Sequence, residues 1–271
     1  MDLKKYFLSI RLLNCLIAAI GVFIGFSVSQ KAISFPIELF LAIIATITIT
    51  GAGNIINDYY DILIDKKLEK NVLSEKTEKK EVILVTGVLF SIGITSAFLI
   101  NLHAFILGLG ISILLILYSV VMQKFKYVGN WVVALGTAMT LIFGATITKN
   151  YDAILILSAS ALFANVAREI IKDTQDLKGD YGGKKTLPMI IGIENIKKII
   201  PIIYLISISF GALAWTNGVM IGPYYIILLF VVTILFFNSW KLLKENKFKA
   251  AQEYSKYGML FALLAFIGGI L

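Results

Sequence analysis

Residues 37–65 read IELFLAIIATITITGAGNIINDYYDILID, an apolar run closed by three aspartates. About twenty apolar residues in helical form, rising ~1.5 Å each, match the ~30 Å hydrocarbon core of a bilayer. The run predicts a membrane span over 37–58, and its end carries Asn54, Asn57, Asp58, Asp61 and Asp65. On a helix turning about 100° per residue, Asp58, Asp61 and Asp65 fall within about 60° of one another and form one negative stripe. A second stretch, 152–180, repeats the design: an apolar run and then Asp173, Asp176 and Asp180 at the same D-x-x-D-x-x-x-D spacing. Each aspartate lies 115 residues after its counterpart, and Asn54 and Glu169 share that offset. The pattern reads as an internal repeat of helix, acidic stripe and basic loop, with the two stripes facing each other.

The rest of the chain agrees with a membrane fold. It has 271 residues, 58% hydrophobic and 15% charged, whereas a soluble domain carries about a quarter charged residues. Apolar runs recur from end to end and predict nine spans, at roughly 10–29, 37–58, 82–100, 104–121, 131–148, 152–171, 199–216, 223–240 and 255–271. The expected architecture is all-α: a single polytopic domain over 1–271, its helices surrounding a central cavity. The alternation of a β-barrel is absent. The run over 12–28 is too long for a signal peptide and lacks a small-residue cleavage site. Cys15 is the one cysteine, so no internal disulfide forms.

The net charge of +8 does not point to nucleic acid, because Lys and Arg cluster in alternate connections. Lys4 and Lys5, the lysines of 66–80, Lys124 and Lys126, those of 172–198 and those of 241–249 fall on one side; Lys31 and Lys149 fall on the other. Excess positive charge marks the cytoplasmic face, which predicts a cytoplasmic N-terminus, an external C-terminus and both acidic stripes at the cytoplasmic mouth. Membrane lipids are the expected surroundings, and no obligate protein partner is indicated.

One aspartate at the end of a span is ordinarily a solvated interfacial charge. Six in two copies repel themselves unless a cation lies between them. Oxygen-only ligands select a hard ion such as Mg²⁺. Such an ion, rimmed by Lys and Arg and set above apolar walls, suits a lipid diphosphate, whose leaving group the metal would stabilise. An allylic cation left behind needs a dry site with π faces, for which Tyr59, Tyr60 and Tyr118 are sources.

The paired motifs resemble those of the UbiA-type intramembrane prenyltransferases. Tyr118-Ser119 with Lys124, and Lys185-Thr186-Leu187-Pro188, are further matches, so the likeness spans essentially the whole chain. The resemblance implies Mg²⁺-dependent transfer of an isoprenoid from its diphosphate to an acceptor. It implies Asn57, Asp61 and Asp65 as metal ligands from the first motif and Asp176 and Asp180 from the second. The four aspartates of that set are the catalytic residues, and Asp58 and Asp173 are ligands or support for them. Arg11, Asn14 and the Ile24-Gly25 pair resemble the first helix of the archaeal members that transfer geranylgeranyl to geranylgeranylglyceryl phosphate. Arg11 and Asn14 would then meet a lipid-like phosphate acceptor, unless Arg11 is a topogenic anchor and Asn14 a helix contact. Arg168 is expected at the diphosphate, or else in a local pair with Glu169; Asn54, Tyr118, Lys124, Lys126, Lys184 and Lys185 are further candidate substrate contacts. The loop Lys70-Asn71-Val72-Leu73-Ser74-Glu75-Lys76 departs from the family's Asn-Arg-Pro-Leu-Pro-Ser-Gly type, leaving Lys70 or Lys76 as point charges in place of an Arg fork. Two other functions compete: prenylation of an aromatic ring, and divalent-cation transport, which normally places its acidic groups near the bilayer midplane.

Overall fold

The computed structural model describes residues 3–64, 73, 77–122, 126–180 and 185–270. They form helices α1 (Leu3–Ser9), α2 (Leu12–Gln30), α3 (Ile37–Ile64), α4 (Lys79–Ile100), α5 (Leu102–Leu117), α6 (Lys126–Ala145), α7 (Asp152–Asp180), α8 (Leu187–Ile191), α9 (Ile193–Thr216), α10 (Pro223–Lys244) and α11 (Phe248–Gly268). A π-helical turn, Tyr118–Met122, continues α5. Eight of these helices are long and apolar enough to cross a membrane. The ninth expected span corresponds to α11, whose first half carries Lys249, Glu253 and Lys256. Large apolar side chains such as Phe98, Ile227 and Phe230 stand on the outer surface, where lipid would meet them.

Successive long helices run in opposite directions, as contacts at the two ends show. At one end Arg11 meets Asp58, Tyr6 meets Glu81, Asn130 meets Asp173, and the Trp240 indole donates to the Lys197 carbonyl at 2.9 Å. That carbonyl is free to accept because Pro201, four residues on, has no N–H to offer it. At the other end Asn101 caps α5 and donates to the Thr146 carbonyl at 2.8 Å. There Thr148 donates to Ser29 and His103 meets Tyr151, so His103 lies at the opposite end from the aspartates.

The centre of the bundle is the contact of α2 with α6. A Cβ added at Gly25 would lie 2.0 Å from the Leu141 carbonyl oxygen, and one at Gly144 2.1 Å from that of Val22. Glycine is required there because backbone meets backbone, the small-residue packing typical of helices in lipid. Both α3 and α7 pack against this central pair.

The 115-residue offset extends well beyond the aspartates. Leu12 and Lys126 open α2 and α6, Ile37 and Asp152 open α3 and α7, and Lys79 and Ile193 open α4 and α9, with separations of 114 or 115 residues. The acidic helices also run further than hydropathy suggests. α3 continues to Ile64 rather than stopping at 58, and α7 to Asp180 rather than 171. Similarly, α9 begins at Ile193 and α11 at Phe248, ahead of the expected 199 and 255, while α6 is displaced to Lys126–Ala145 from 131–148. Falling hydropathy marks the edge of the hydrocarbon, and a helix outlasts it as long as its backbone bonds continue.

Candidate active site

The first stripe is built on the last two turns of α3. Asn57 donates to the Asp61 carboxylate at 2.9 Å, one turn on, and Asp61 is half-buried. Asp58, only 4% exposed, accepts from the Arg11 guanidinium at 2.5 Å, with the buried Ser9 hydroxyl alongside. Arg11 occupies the left-handed region, φ 54° and ψ 62°, and forms the corner between α1 and α2. The carbonyl of Ile10 at that corner accepts from the Asn54 amide at 2.8 Å and from Cys15 Sγ at 3.3 Å. Asn54, expected at the substrate, is thus engaged in holding the corner.

α1 lies across this end. Tyr6 is buried against Ile55, Ile62, Leu73 and Val82 and donates to Glu81 at 2.9 Å. Burial first, and the bond to Glu81 second, push its phenol well above the ordinary tyrosine range, so it stays a donor. Lys5 adds an ion pair to Glu81 at 3.3 Å. This strap was not legible in the sequence, since a short polar-apolar helix before a span looks like any amphipathic lead-in.

The second stripe occupies the last turns of α7. Asp173 is fully buried and accepts from the Asn130 amide of α6 at 2.7 Å. Asp176 is half-buried. Higher on the same helix, Asn165 donates to Thr137 of α6 at 2.5 Å. Asn130 escaped notice in the sequence; an amide inside an otherwise apolar run was the available signal. Of the two partners expected for Arg168, the structure shows the local one. Its guanidinium pairs at 2.6 Å with the neighbouring Glu169, itself buried and 4.0 Å from Lys172, because the adjacent carboxylate is the nearest partner for a desolvated cation.

Of the remaining candidates, Asn14 and Arg11 are exposed near the start of α2, and Lys185 is exposed just before α8. Tyr118 is half-buried and lies against Gly129, where any Cβ would come within 2.8 Å of its ring. Asp65, Lys124, Lys184, the side chains of Lys126 and Asp180, and the 70–76 loop except Leu73 lie outside the described residues. Among those described, no three His, Cys, Asp or Glu side chains converge on one point. The donors present are Asp61, Asp176 and Asn57, all oxygen-bearing, on two parallel helices whose acidic ends lie at one end of the bundle. That set fits a hard dication and not a soft one.

Comparison with known proteins places these features in context. The sequence model of the UbiA prenyltransferase family matches residues 18–265. A digeranylgeranylglyceryl phosphate synthase from Thermococcus sibiricus is 35% identical over 276 residues, covering 99% of this chain and 98% of that protein. A solved digeranylgeranylglyceryl phosphate synthase superposes with a TM-score of 0.84 at 30% identity, over 100% of this chain and 99% of the other. A UbiA homologue from Archaeoglobus fulgidus, solved bound to GPP and Mg²⁺, shares the fold at a TM-score of 0.69 and 17% identity, over 97% of this chain and 99% of that one.

Proposed function

Because the chain belongs to the UbiA prenyltransferase family, we propose that it transfers a geranylgeranyl group from geranylgeranyl diphosphate to geranylgeranylglyceryl phosphate, forming the second ether bond of an archaeal membrane lipid. The observation that carries this reading is the pairing of full-length likeness to the named synthases with two aspartate stripes at one end of an apolar bundle.

Asn57, Asp61 and Asp65 on α3 and Asp176 and Asp180 on α7 would hold Mg²⁺. Held by these residues, Mg²⁺ would supply positive charge against the departing diphosphate. The half-buried Asp61 and Asp176 face partly into water, so they are open to a cation without having to leave the core. Arg11 and Asn14, exposed near the start of α2, take the acceptor's phosphate, a fork and an amide suited to an oxyanion. The acceptor hydroxyl forms the new C–O bond at C1 of the prenyl chain as the bond to diphosphate breaks. Its proton passes to diphosphate or to a motif carboxylate. The apolar bundle keeps water from capturing C1 first.

The test uses detergent-purified protein offered geranylgeranyl diphosphate with the glyceryl phosphate acceptor or an aromatic one, with products read by mass spectrometry. The dialkyl ether should form with the first acceptor alone and disappear in chelator. Asp61→Asn and Asp176→Asn proteins should insert and melt like wild type but lose that product. Transfer that persists in chelator, or that occurs only on the aromatic acceptor, rejects the reading.

A further inference from the structure

The first aspartate of each motif behaves unlike those that follow. Asp58 and Asp173 are 4% and 0% exposed, whereas Asp61 and Asp176 are half-buried. Each of the first pair is bonded to the helix that opens its own half of the molecule. Asp58 binds Arg11, the residue before α2, and Asp173 binds Asn130 in the second turn of α6. α2 and α6 are equivalents under the repeat, and they are also the two helices in backbone contact at the centre. In each half the first aspartate is therefore tied to the beginning of the corresponding helix, by a guanidinium just before α2 in one half and by an amide in the second turn of α6 in the other. What the halves share is the function of the bond, since its chemistry differs.

We propose that Asp58 and Asp173 are positioning residues that fix the rotation of α3 and α7 about their own axes, and that neither coordinates the metal. This rests on the reading that the two motifs hold a divalent cation. A carboxylate enclosed in the bundle has its oxygens engaged by a neighbouring element, whereas the half-buried Asp61 and Asp176, three residues on, remain open to water. Fixing that rotation matters because side-chain oxygens sit roughly 5 Å from a helix axis, so a 20° swing displaces them by about 2 Å. Such a displacement is as long as a Mg²⁺–O bond, and Mg²⁺ tolerates little departure from octahedral geometry. Tying each motif helix to the central pair α2–α6 also places the two stripes in one frame, so their carboxylates keep a common geometry.

The experiment exchanges the partners across α6 and α7: Asn130→Asp together with Asp173→Asn keeps one amide-to-carboxylate bond but moves the carboxylate off the motif. Mn²⁺, standing in for Mg²⁺, is titrated by electron paramagnetic resonance into purified protein holding a thio-diphosphate analogue of the prenyl donor. Asp173→Leu alone, of similar size but with no oxygen to accept from Asn130, is expected to weaken Mn²⁺ by at least about tenfold, the scale on which loss of a supporting contact is felt at a metal. The exchanged protein should return to within about fivefold of wild type, since support can be rebuilt from position 130 whereas a ligand cannot. An exchanged protein that stays weaker than that, or an Asp173→Leu protein that binds like wild type, overturns the proposal. If the exchanged protein is not monodisperse, Arg11→Gln with Asp58→Asn, an uncharged hydrogen-bonding pair, is read by the same titration against Asp58→Leu alone, with the same two outcomes. Wild-type protein that takes up no Mn²⁺ would instead reject the metal-dependent reading beneath it.

Discussion

Arg11 joins a backbone strain to an ion pair. A residue with a Cβ at φ 54° and ψ 62° is disfavoured by roughly 1–2 kcal/mol relative to the right-handed region, and glycine would relieve it. Arg11→Gly should nonetheless destabilise the protein by about 1–2 kcal/mol. It would leave Asp58, 6% exposed at its side chain, as an unpaired buried carboxylate. Breaking a fully buried pair costs about 3–5 kcal/mol, and the half-exposed guanidinium, 46% accessible, reduces that figure through solvent screening. Thermal melts in detergent compare Arg11→Gly with wild type, and a rise in melting temperature would show that strain outweighs the pair. Kinetics separate the second role: Arg11→Gln keeps an amide donor for Asp58 but loses the charge, so it should raise KM for the acceptor by about tenfold, the worth of one charge-assisted bond, with KM for the diphosphate little changed. Equal rises in both would move Arg11 to the leaving group. The sequence made the six aspartates legible as a set but could not sort them. Helical period gives the angle at which a side chain leaves the axis and says nothing about which neighbour covers that angle. Asp58 and Asp61 looked alike until α1 and α2 were seen to close over one of them.

At the scale of elements, Gly25 shows how a signature and its cause can be read separately. Ile24-Gly25 drew attention as a family likeness, whereas its physical role is the crossing of α2 and α6. Gly25→Ala would bring a Cβ to 2.0 Å from the Leu141 carbonyl oxygen, and forcing the helices apart should cost about 1–3 kcal/mol, as overpacking generally does. Gly110 provides the internal control. It sits within α5 with nothing within 4 Å of its Cβ position, so Gly110→Ala should be neutral or stabilise by up to about 1 kcal/mol through helix propensity. Melts of the two variants side by side decide it; equal destabilisation would mean the close approach is not what Gly25 serves. The existence and order of the long helices followed from hydropathy, but their ends did not. The acidic turns of α3 and α7 are too polar to count as span, yet they are the turns that carry the site. The bond from Trp240 to the Lys197 carbonyl was equally hidden, since Pro201 announces a freed acceptor without naming the donor that finds it.

For the molecule as a whole, the repeat and the charge distribution make one joint demand. Two units of like direction, related by an offset of about 115 residues, put both stripes at the same end whatever the orientation in the membrane. The orientation itself comes from the basic residues. The end with Asp58 and Asp173 also carries Lys4, Lys5, Lys79, Lys80, Lys172, Lys185, Lys197 and Lys198, whereas the end with His103 and Tyr151 carries Lys31 and Lys149. An end so rich in lysine is expected to be retained in the cytoplasm, where anionic lipid adds about 1 kcal/mol of attraction per basic residue near the surface. Replacing the buried Cys15 by Ser leaves a background in which single cysteines report their side. Lys185→Cys should be blocked by a membrane-impermeant maleimide only after the cells are opened, and Asn217→Cys, at the end of α9 opposite the stripes, in intact cells. The reverse pattern would place the acidic mouth outside. The fold would survive that result, but the proposed prenyl diphosphate would then have to reach the acidic stripes from outside, so sidedness bears on the proposed function as directly as any aspartate does.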